Sequence, residues 1–154
     1  MKIRLRLTGI HDAQRIWDMQ KLAFQELLLK YQDFDTNPAS EPLEKVTNRL
    51  SQNGRSYYFI ELEDEIIGAI SVTDRGDGGR KVLSTMFILP EFQGHGYAQE
   101  AIVAAEAIYG KDFWELDTIL QEEKLCHLYE KMGYCQTQKI TPVSDIMSLV
   151  FYEK

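Results

Sequence analysis

Cysteine is nearly absent from this 154-residue chain: only Cys126 and Cys135 occur, with no Cys-x-x-Cys pair and no histidine at metal-ligand spacing. That excludes a disulfide scaffold and the common zinc frameworks, and it reads as two free thiols in a reducing compartment. No metal centre is expected. Long apolar runs are missing too, since none approaches the roughly 20 residues of a membrane-spanning helix. The opening Met1-Lys2-Ile3-Arg4-Leu5-Arg6 alternates charge with apolar residues and lacks the uninterrupted core of a secretion signal. A cytoplasmic protein with no membrane partner is expected. Basic charge is in deficit, 17 Lys and Arg against 24 Asp and Glu, for a net charge of -7. A general nucleic-acid binder needs a basic surface to neutralise phosphates, so that class is set aside, whereas a cationic small substrate stays compatible. Gly-Lys-Ser/Thr is absent, which excludes a P-loop, and Gly94-x-Gly96 is followed by Gln99 where a dinucleotide fold needs a third glycine.

What is present is ordinary globular material, 44% hydrophobic and 27% charged, in a length that suits one domain spanning residues 1–154. The most informative stretch is Met86-Phe87-Ile88-Leu89-Pro90-Glu91-Phe92-Gln93-Gly94-His95-Gly96-Tyr97-Ala98. An apolar run from Val82 ends at Pro90, a loop with two glycines follows, and Ala98, Ala101, Ile102, Ala105, Ile108 and Tyr109 then recur at helical spacing up to Gly110. A strand, a glycine loop and a helix start follow one another here. The first turn of a helix has unpaired N–H groups and the positive end of the macrodipole, so this corner suits an anion such as a phosphate. Glycine at 94 and 96 would let the anion approach the amides of Gln93, Gly94, His95, Gly96, Tyr97 and Ala98.

In chain order, Lys2 to Leu7 alternates as a half-exposed strand. A helix follows with Thr8 or Asp12 as cap and Ile16, Met19, Ala23 and Leu27 on its apolar face. The segment from Lys30 to Pro42 reads as a loop, and Leu43 to Leu50 as a short helix stopped by Gln52-Asn53-Gly54. Tyr57–Leu62, Ile66–Thr73 and Lys81–Leu89 read as consecutive antiparallel strands. After the helix that the glycine loop opens come the strand Phe113–Ile119, a helix from Glu122 to Met132 stopped by Gly133, and the strands Tyr134–Ile140 and Ile146–Tyr152. The expected order is β-α-α-β-β-β-α-β-α-β-β, an α/β (α+β) fold with a mixed, mostly antiparallel sheet of about seven strands and about four helices.

The segment Gln93-x-x-Gly96-x-Ala98 resembles the acetyl-CoA loop, Gln/Arg-x-x-Gly-x-Gly/Ala, of the GNAT family of N-acetyltransferases. Leu128-Tyr129-Glu130-Lys131-Met132-Gly133-Tyr134 is similar to that family's late-helix signature, Leu-Tyr-x-x-x-Gly-Phe/Tyr, and the element order matches over the whole chain. The resemblance implies an acetyl-CoA-dependent N-acetyltransferase acting on a primary amine of a small molecule or peptide by direct aminolysis, with acetyl-CoA as co-substrate. A rival reading is a catalytically weak acyl-CoA-binding module with a regulatory or interaction role. The resemblance also implies that the strand carrying Phe87 and Ile88 splays from the strand Phe113–Ile119 and offers main-chain groups to pantetheine and the acetyl carbonyl. It implies that Tyr129 donates a proton to the departing thiolate, a role that suits a phenol protonated at neutral pH.

Asp117 is the candidate base, with Glu115 on the same strand face or a water-mediated route as alternatives. Glu122 departs from the family's frequent asparagine and, when ionised, cannot donate that residue's hydrogen bond to pantetheine. Cys126 reads as a buried thiol. Acceptor specificity is expected from the segments Lys30–Pro42 and Thr141–Asp145, where Asp33, Asp35 and Asp145 could attract an ammonium group and Tyr31 and Phe34 could pack its stem. Family members are often dimers, and Phe151 and Tyr152 on the last strand suit a homodimer contact.

Overall fold

Alternating apolar runs before Thr8 and after Gly54 build the centre of the molecule, a seven-stranded sheet. The structure is a computed structural model and describes residues 3–154. Strand β1 spans Ile3–Leu7, β2 Arg55–Leu62, β3 Glu65–Thr73, β4 Lys81–Ile88, β5 Trp114–Ile119, β6 Cys135–Pro142 and β7 Ser148–Glu153. Lys2, read above as the first residue of β1, lies outside the described residues. Helices α1 (Ala13–Tyr31), α2 (Leu43–Leu50), α3 (Tyr97–Tyr109) and α4 (Glu123–Lys131) complete the expected order. The spatial order is β1-β2-β3-β4-β5-β7-β6. Among the described residues only β4 and β5 run parallel, and α3 makes the crossover between them. Among the described residues no helix is long and apolar enough to cross a membrane.

Period-two alternation gives the sheet two apolar faces, each covered by a pair of helices. On one, Ile16 and Met19 of α1 and Val46 of α2 pack on Tyr57, Phe59, Ala69 and Phe87. On the other, Ala101, Ile102 and Ala105 of α3 and Cys126 and Tyr129 of α4 pack on Ile60, Ile70, Trp114, Leu116 and Val150. Ile16 and Val46 are fully buried, each contributing about 1.5–3 kcal/mol relative to exposure. Ile108, expected on the apolar face of α3, is exposed, and Glu106 is buried instead with Lys154 Nζ 2.7 Å from its carboxylate.

Several boundaries differ from the sequence reading by one or two residues, β6 and β7 among them, and the start of the molecule differs most. Helix α1 continues through Lys30 and Tyr31 and stops where Gln32 adopts a left-handed conformation, φ 55°. Neither proposed cap bonds to the start of α1. Thr8 Oγ1 donates to the Tyr57 carbonyl at 2.8 Å, and Asp12 accepts from the Gly9 N–H at 2.9 Å. Strand β2 begins at Arg55, two residues before Tyr57.

The irregularity that matters most is in β4. Ser71 pairs with Thr85 but Val72 pairs with Leu83, so Ser84 is an extra residue, a β-bulge. A bulge bends its strand and increases local twist. Just beyond Lys81–Trp114 and Val82–Glu115, pairing between β4 and β5 ends and the two strands part. Their junction is held by the Lys81 N–H on the Phe113 carbonyl at 2.8 Å and by Arg80 Nη1 on the Trp114 carbonyl at 3.2 Å.

On its other edge β4 is pressed against β3. A Cβ at Gly68 would stand 2.1 Å from the Phe87 carbonyl oxygen, a distance that only backbone movement can relieve. Gly68→Ala should therefore lower stability by about 2 kcal/mol or more, read as a fall in thermal midpoint. A midpoint equal to that of the wild type would show that the strand pair has slack at this position.

Candidate active site

The parted strands leave main-chain groups of β4 without a neighbouring strand. The Leu89 N–H bonds to the Ile67 carbonyl at 2.8 Å, and Gly68 is paired with Ile88 and Ala69 with Phe87. Antiparallel alternation then turns the N–H and C=O groups of Phe87 and Thr85 toward β3, and those of Met86 and Ile88 toward the gap. The expected pair Phe87 and Ile88 is thus divided. Ile88 faces the opening with its backbone, Phe87 faces the ladder, and Met86, not singled out from the sequence, takes the second place. The signal that could have found Met86 is parity: it is two residues from Ile88. The gap opens as a cleft of about 190 Å³ lined by Leu83, Ser84, Glu115, Leu116, Asp117 and Phe151 among others.

Beyond Ile88 the chain makes a single 3₁₀ turn, Pro90–Phe92, and reaches the glycine loop. Gly94 and Gly96 both have φ 82°, the left-handed region where a Cβ is strained, and Gly96 is the N-cap of α3. Apart from the immediate chain neighbours, nothing lies within 4 Å of the place where a Cβ would stand on either glycine, so the demand on them is conformational and their outer face is open. The first N–H of this region to find a carbonyl is that of Glu100, on Gly96 at 3.2 Å; among the described residues the N–H groups from Gly94 to Gln99 have no backbone partner. They include Gly94, His95, Gly96, Tyr97 and Ala98, all of the expected anion corner except Gln93. Gln93 works inside the loop instead: its N–H bonds to the Pro90 carbonyl at 3.3 Å and its Nε2 to the Ile88 carbonyl at 2.8 Å. This ties the loop to the end of β4 and leaves Ile88 its N–H for the gap. The His95 ring stacks on Tyr97, 5.5 Å between centroids, with Nδ1 3.2 Å from the Phe92 carbonyl.

Tyr129 projects from α4 into the α3/α4 core beside Leu116, edge-on to Tyr134 at 6.0 Å. Burial, followed by the charges of Asp117 and Cys126, raises its pKa, and no hydrogen bond contributes. Asp117 and Glu115 alternate with the buried Leu116 and so face the α1/α2 side of the same gap. Asp117 keeps solvent access at the rim, yet the protein packed around it raises its pKa by desolvation, with Lys139 opposing. Tyr129 and Asp117 thus lie on opposite faces of the sheet, a buried phenol on one and a carboxyl group of raised pKa on the other. Cys126 is buried, its Sγ 3.7 Å from the Ile119 carbonyl, and Cys135 is exposed; both are free thiols. Among the described residues no group of three or more His, Cys, Asp or Glu is placed to hold a metal ion.

Glu122, the departure noted in the sequence, is occupied from within. Its Oε2 accepts from Lys30 Nζ at 2.6 Å and from the Tyr31 hydroxyl at 2.5 Å, which joins the last turn of α1 to the start of α4. Desolvation acts to raise the Glu122 pKa, but the hydrogen bonds from Lys30 and Tyr31 and the charge of Lys30 outweigh it and hold the carboxyl below its ordinary value. Tyr31 is buried in this contact and is not free to pack an acceptor's stem, while Phe34 is exposed. Asp33 accepts from the N–H and the hydroxyl of Thr36, closing its own turn. Asp35 and Asp145 are exposed.

This fold and this corner are those of one family, and residues 14–134 match its model, the acetyltransferase (GNAT) family; the chain belongs to it. Among solved structures the chain is similar to an acetyltransferase from Thermus thermophilus, at 16% identity over 99% of this chain and 96% of that one, TM-score 0.74. It is similar as well to the PaiA N-acetyltransferase of Thermoplasma acidophilum in complex with coenzyme A, at 15% identity over 100% of both chains, TM-score 0.72. A third is the spermidine N-acetyltransferase of Vibrio cholerae in complex with coenzyme A and spermine, at 18% identity over 97% of this chain and 93% of that one, TM-score 0.71. Among curated proteins no relative matches the chain.

The Glu122 contact makes a stability prediction with a definite sign. A carboxyl whose folded pKa lies below its unfolded value stabilises the fold above the unfolded pKa and ceases to do so as pH falls through the folded one. Glu122→Gln should lower stability at neutral pH by about 1–2 kcal/mol, and the difference from wild type should shrink as pH drops below the ordinary carboxylate range. Thermal melts of both proteins between neutral and acid pH measure it. A deficit that stays constant across that range would assign the loss to packing and not to charge.

Proposed function

We propose that the whole chain works as one acetyl-CoA-dependent N-acetyltransferase domain, moving an acetyl group to a primary amine. The observation that carries this reading is the parting of β4 from β5 beside a helix N-terminus with unpaired amides. A diphosphate is held by the N–H groups from Gly94 to Ala98, where the dipole of α3 and the open faces of the two glycines favour it. The pantetheine arm takes the place of the missing strand and hydrogen-bonds along β4. The Ile88 N–H pairs with the arm's amide, and the Met86 N–H, nearer the bulge, points at the acetyl carbonyl and at the oxyanion that forms there.

The acetyl group then lies in the gap, open to the α1/α2 side. A neutral amine entering from that side forms the C–N bond as the C–S bond breaks. The amine's proton leaves to Asp117, directly or through water, and the raised pKa of that carboxyl makes it a better base near neutral pH. Tyr129 holds its proton and donates a hydrogen bond to the departing sulfur. Because burial makes its phenolate unfavourable, its contribution is to stabilise the thiolate, which takes up a proton from solvent on release. Holding the two reactants on opposite faces of one gap converts a bimolecular encounter into a positioned one.

Release of free thiol from acetyl-CoA, measured against amines of several classes, tests the reading. Turnover with one class is expected; tight acetyl-CoA binding with no turnover on any amine would support a binding module instead. Gly96→Val should weaken acetyl-CoA binding at least tenfold by forcing a β-branched residue into the left-handed region, and calorimetry showing unchanged affinity would remove the loop from the site. Tyr129→Phe should lower kcat about a hundredfold while acetyl-CoA affinity stays within threefold. An unaltered kcat, with chemistry rate-limiting, would leave Tyr129 as a core aromatic only.

A further inference from the structure

The α1/α2 side of the gap carries a cation that the transfer chemistry does not use. Arg55, the first residue of β2, has the same parity as Tyr57 and Phe59 and so lies on the face that α1 and α2 cover. Its Nε donates to Ser71 Oγ at 3.0 Å, its Nη2 approaches Thr85 Oγ1 at 3.4 Å, and its guanidinium lies 5.5 Å from the centre of the Tyr57 ring. These partners are neutral. Glu41, an acid that also acts on it, is taken by Arg49 through two hydrogen bonds, and among the described residues Arg55 has no carboxylate partner. Arg55 is half-buried and keeps an open side to solvent.

A second, independent observation lies against it. Tyr57 is 2% exposed and its hydroxyl, sealed from solvent, has no hydrogen-bond partner in the structure. That hydroxyl is close enough to act on both Arg49 and Arg55. A buried hydroxyl without a partner and a partly buried guanidinium with neutral partners are both unfavourable, and an oxyanion on the open side of Arg55 would relieve the second. A carboxylate or phosphate can accept two N–H bonds from the planar fork.

The place of this cluster is what gives it meaning. Thr85, under the guanidinium, immediately precedes Met86, whose N–H faces the gap, and Thr85 is paired with Ser71 across the β3–β4 ladder. Across the gap, on the same face of the sheet, stand Glu115 and Asp117. From the assignment of the gap as the acetyl-transfer centre, on which this inference rests, we propose that Arg55, held in place by Ser71 and Thr85, binds an oxyanion carried by the acceptor. The acceptor class is then an amine bearing a carboxylate or a phosphate a few bonds from its nitrogen, held by Arg55 at one end and presented to Asp117 at the other. A plain polyamine would bring a second positive charge against Arg55 and is disfavoured.

Thiol release by the wild-type protein with matched acceptor pairs tests this: tyrosine against tyramine, lysine against cadaverine, and phosphoethanolamine against ethanolamine. The oxyanion-bearing member should have the higher kcat/KM, by about tenfold to a hundredfold, and the first two pairs against the third separate carboxylate from phosphate. In Arg55→Met that ratio should fall toward one, mainly through KM, and Arg55→Lys should restore part of it. Equal or reversed preference within every pair on the wild-type protein would overturn the inference while leaving the transferase reading intact. No thiol release with any amine, despite acetyl-CoA binding, would overturn both.

Discussion

Everything at the centre of this molecule follows from one unmet requirement, the hydrogen bonding of a strand that has lost its neighbour. A buried main-chain amide or carbonyl without a partner is unfavourable by about 1–3 kcal/mol, so a sheet does not part in its middle without compensation. Here the parting begins at the Ser84 bulge, immediately beyond the last paired residues of β4 and β5. The fold compensates part of it from within: Gln93 reaches back to the Ile88 carbonyl. What is left facing the gap, mainly the N–H groups of Met86 and Ile88, is complementary to an extended chain with amide groups of its own. The strands elsewhere, locked by Gly68 on one side and by the Lys81–Phe113 contact on the other, keep the gap from closing on itself.

The sheet also divides the work between its two faces. Alternation along β5 puts Leu116 with Tyr129 on the α3/α4 side and Asp117 with Glu115 on the α1/α2 side, so neighbouring residues serve opposite partners. The groups that would meet a coenzyme, Tyr129 and the start of α3, share the first face. The groups that would meet an amine share the second. On the proposed reading, a hydrogen-bond donor to sulfur and an acceptor for the amine's proton would then coexist without neutralising each other, with the acyl group between them.

Most of the element order was legible in the sequence because each signal was local. The run to Pro90, the two glycines and the helical spacing after Tyr97 define a strand, a loop and a helix within one short stretch, and the structure reproduces them at Lys81–Ile88 and Tyr97–Tyr109. What was not legible depended on contacts between distant segments. Helix α1 ends at Gln32 without a glycine or proline to mark the stop; Lys30 and Tyr31 stay helical because Glu122, 91 residues from Tyr31, receives them both. Glu122 read as a lost hydrogen-bond donor, and is in fact the acceptor that fastens α1 to α4. The Ser84 bulge could not be read either, since an extra residue in one strand is visible only against the register of its partner. The division between Phe87 and Met86 shares that origin: without the β3–β4 register, nothing says which of two adjacent residues turns its backbone to the gap.

Arg55 illustrates the same limit with a larger consequence. In the sequence it stands in a polar stretch after Gly54, where a charged residue is ordinary. Pairing with β3 draws it into β2, and the strand's parity then carries it under the helices, beside the orphan hydroxyl of Tyr57. Net charge was compatible with a cationic acceptor, since the chain as a whole is at -7. Net charge, however, acts at long range on encounter and is screened beyond about 8–10 Å at ordinary ionic strength, whereas selectivity between acceptors is decided by groups in contact with them. At contact range the α1/α2 wall presents a guanidinium on one strand and carboxylates on another, with the gap between them. That arrangement discriminates by the spacing of opposite charges on the acceptor, a property that the sum of all charges on the protein does not carry.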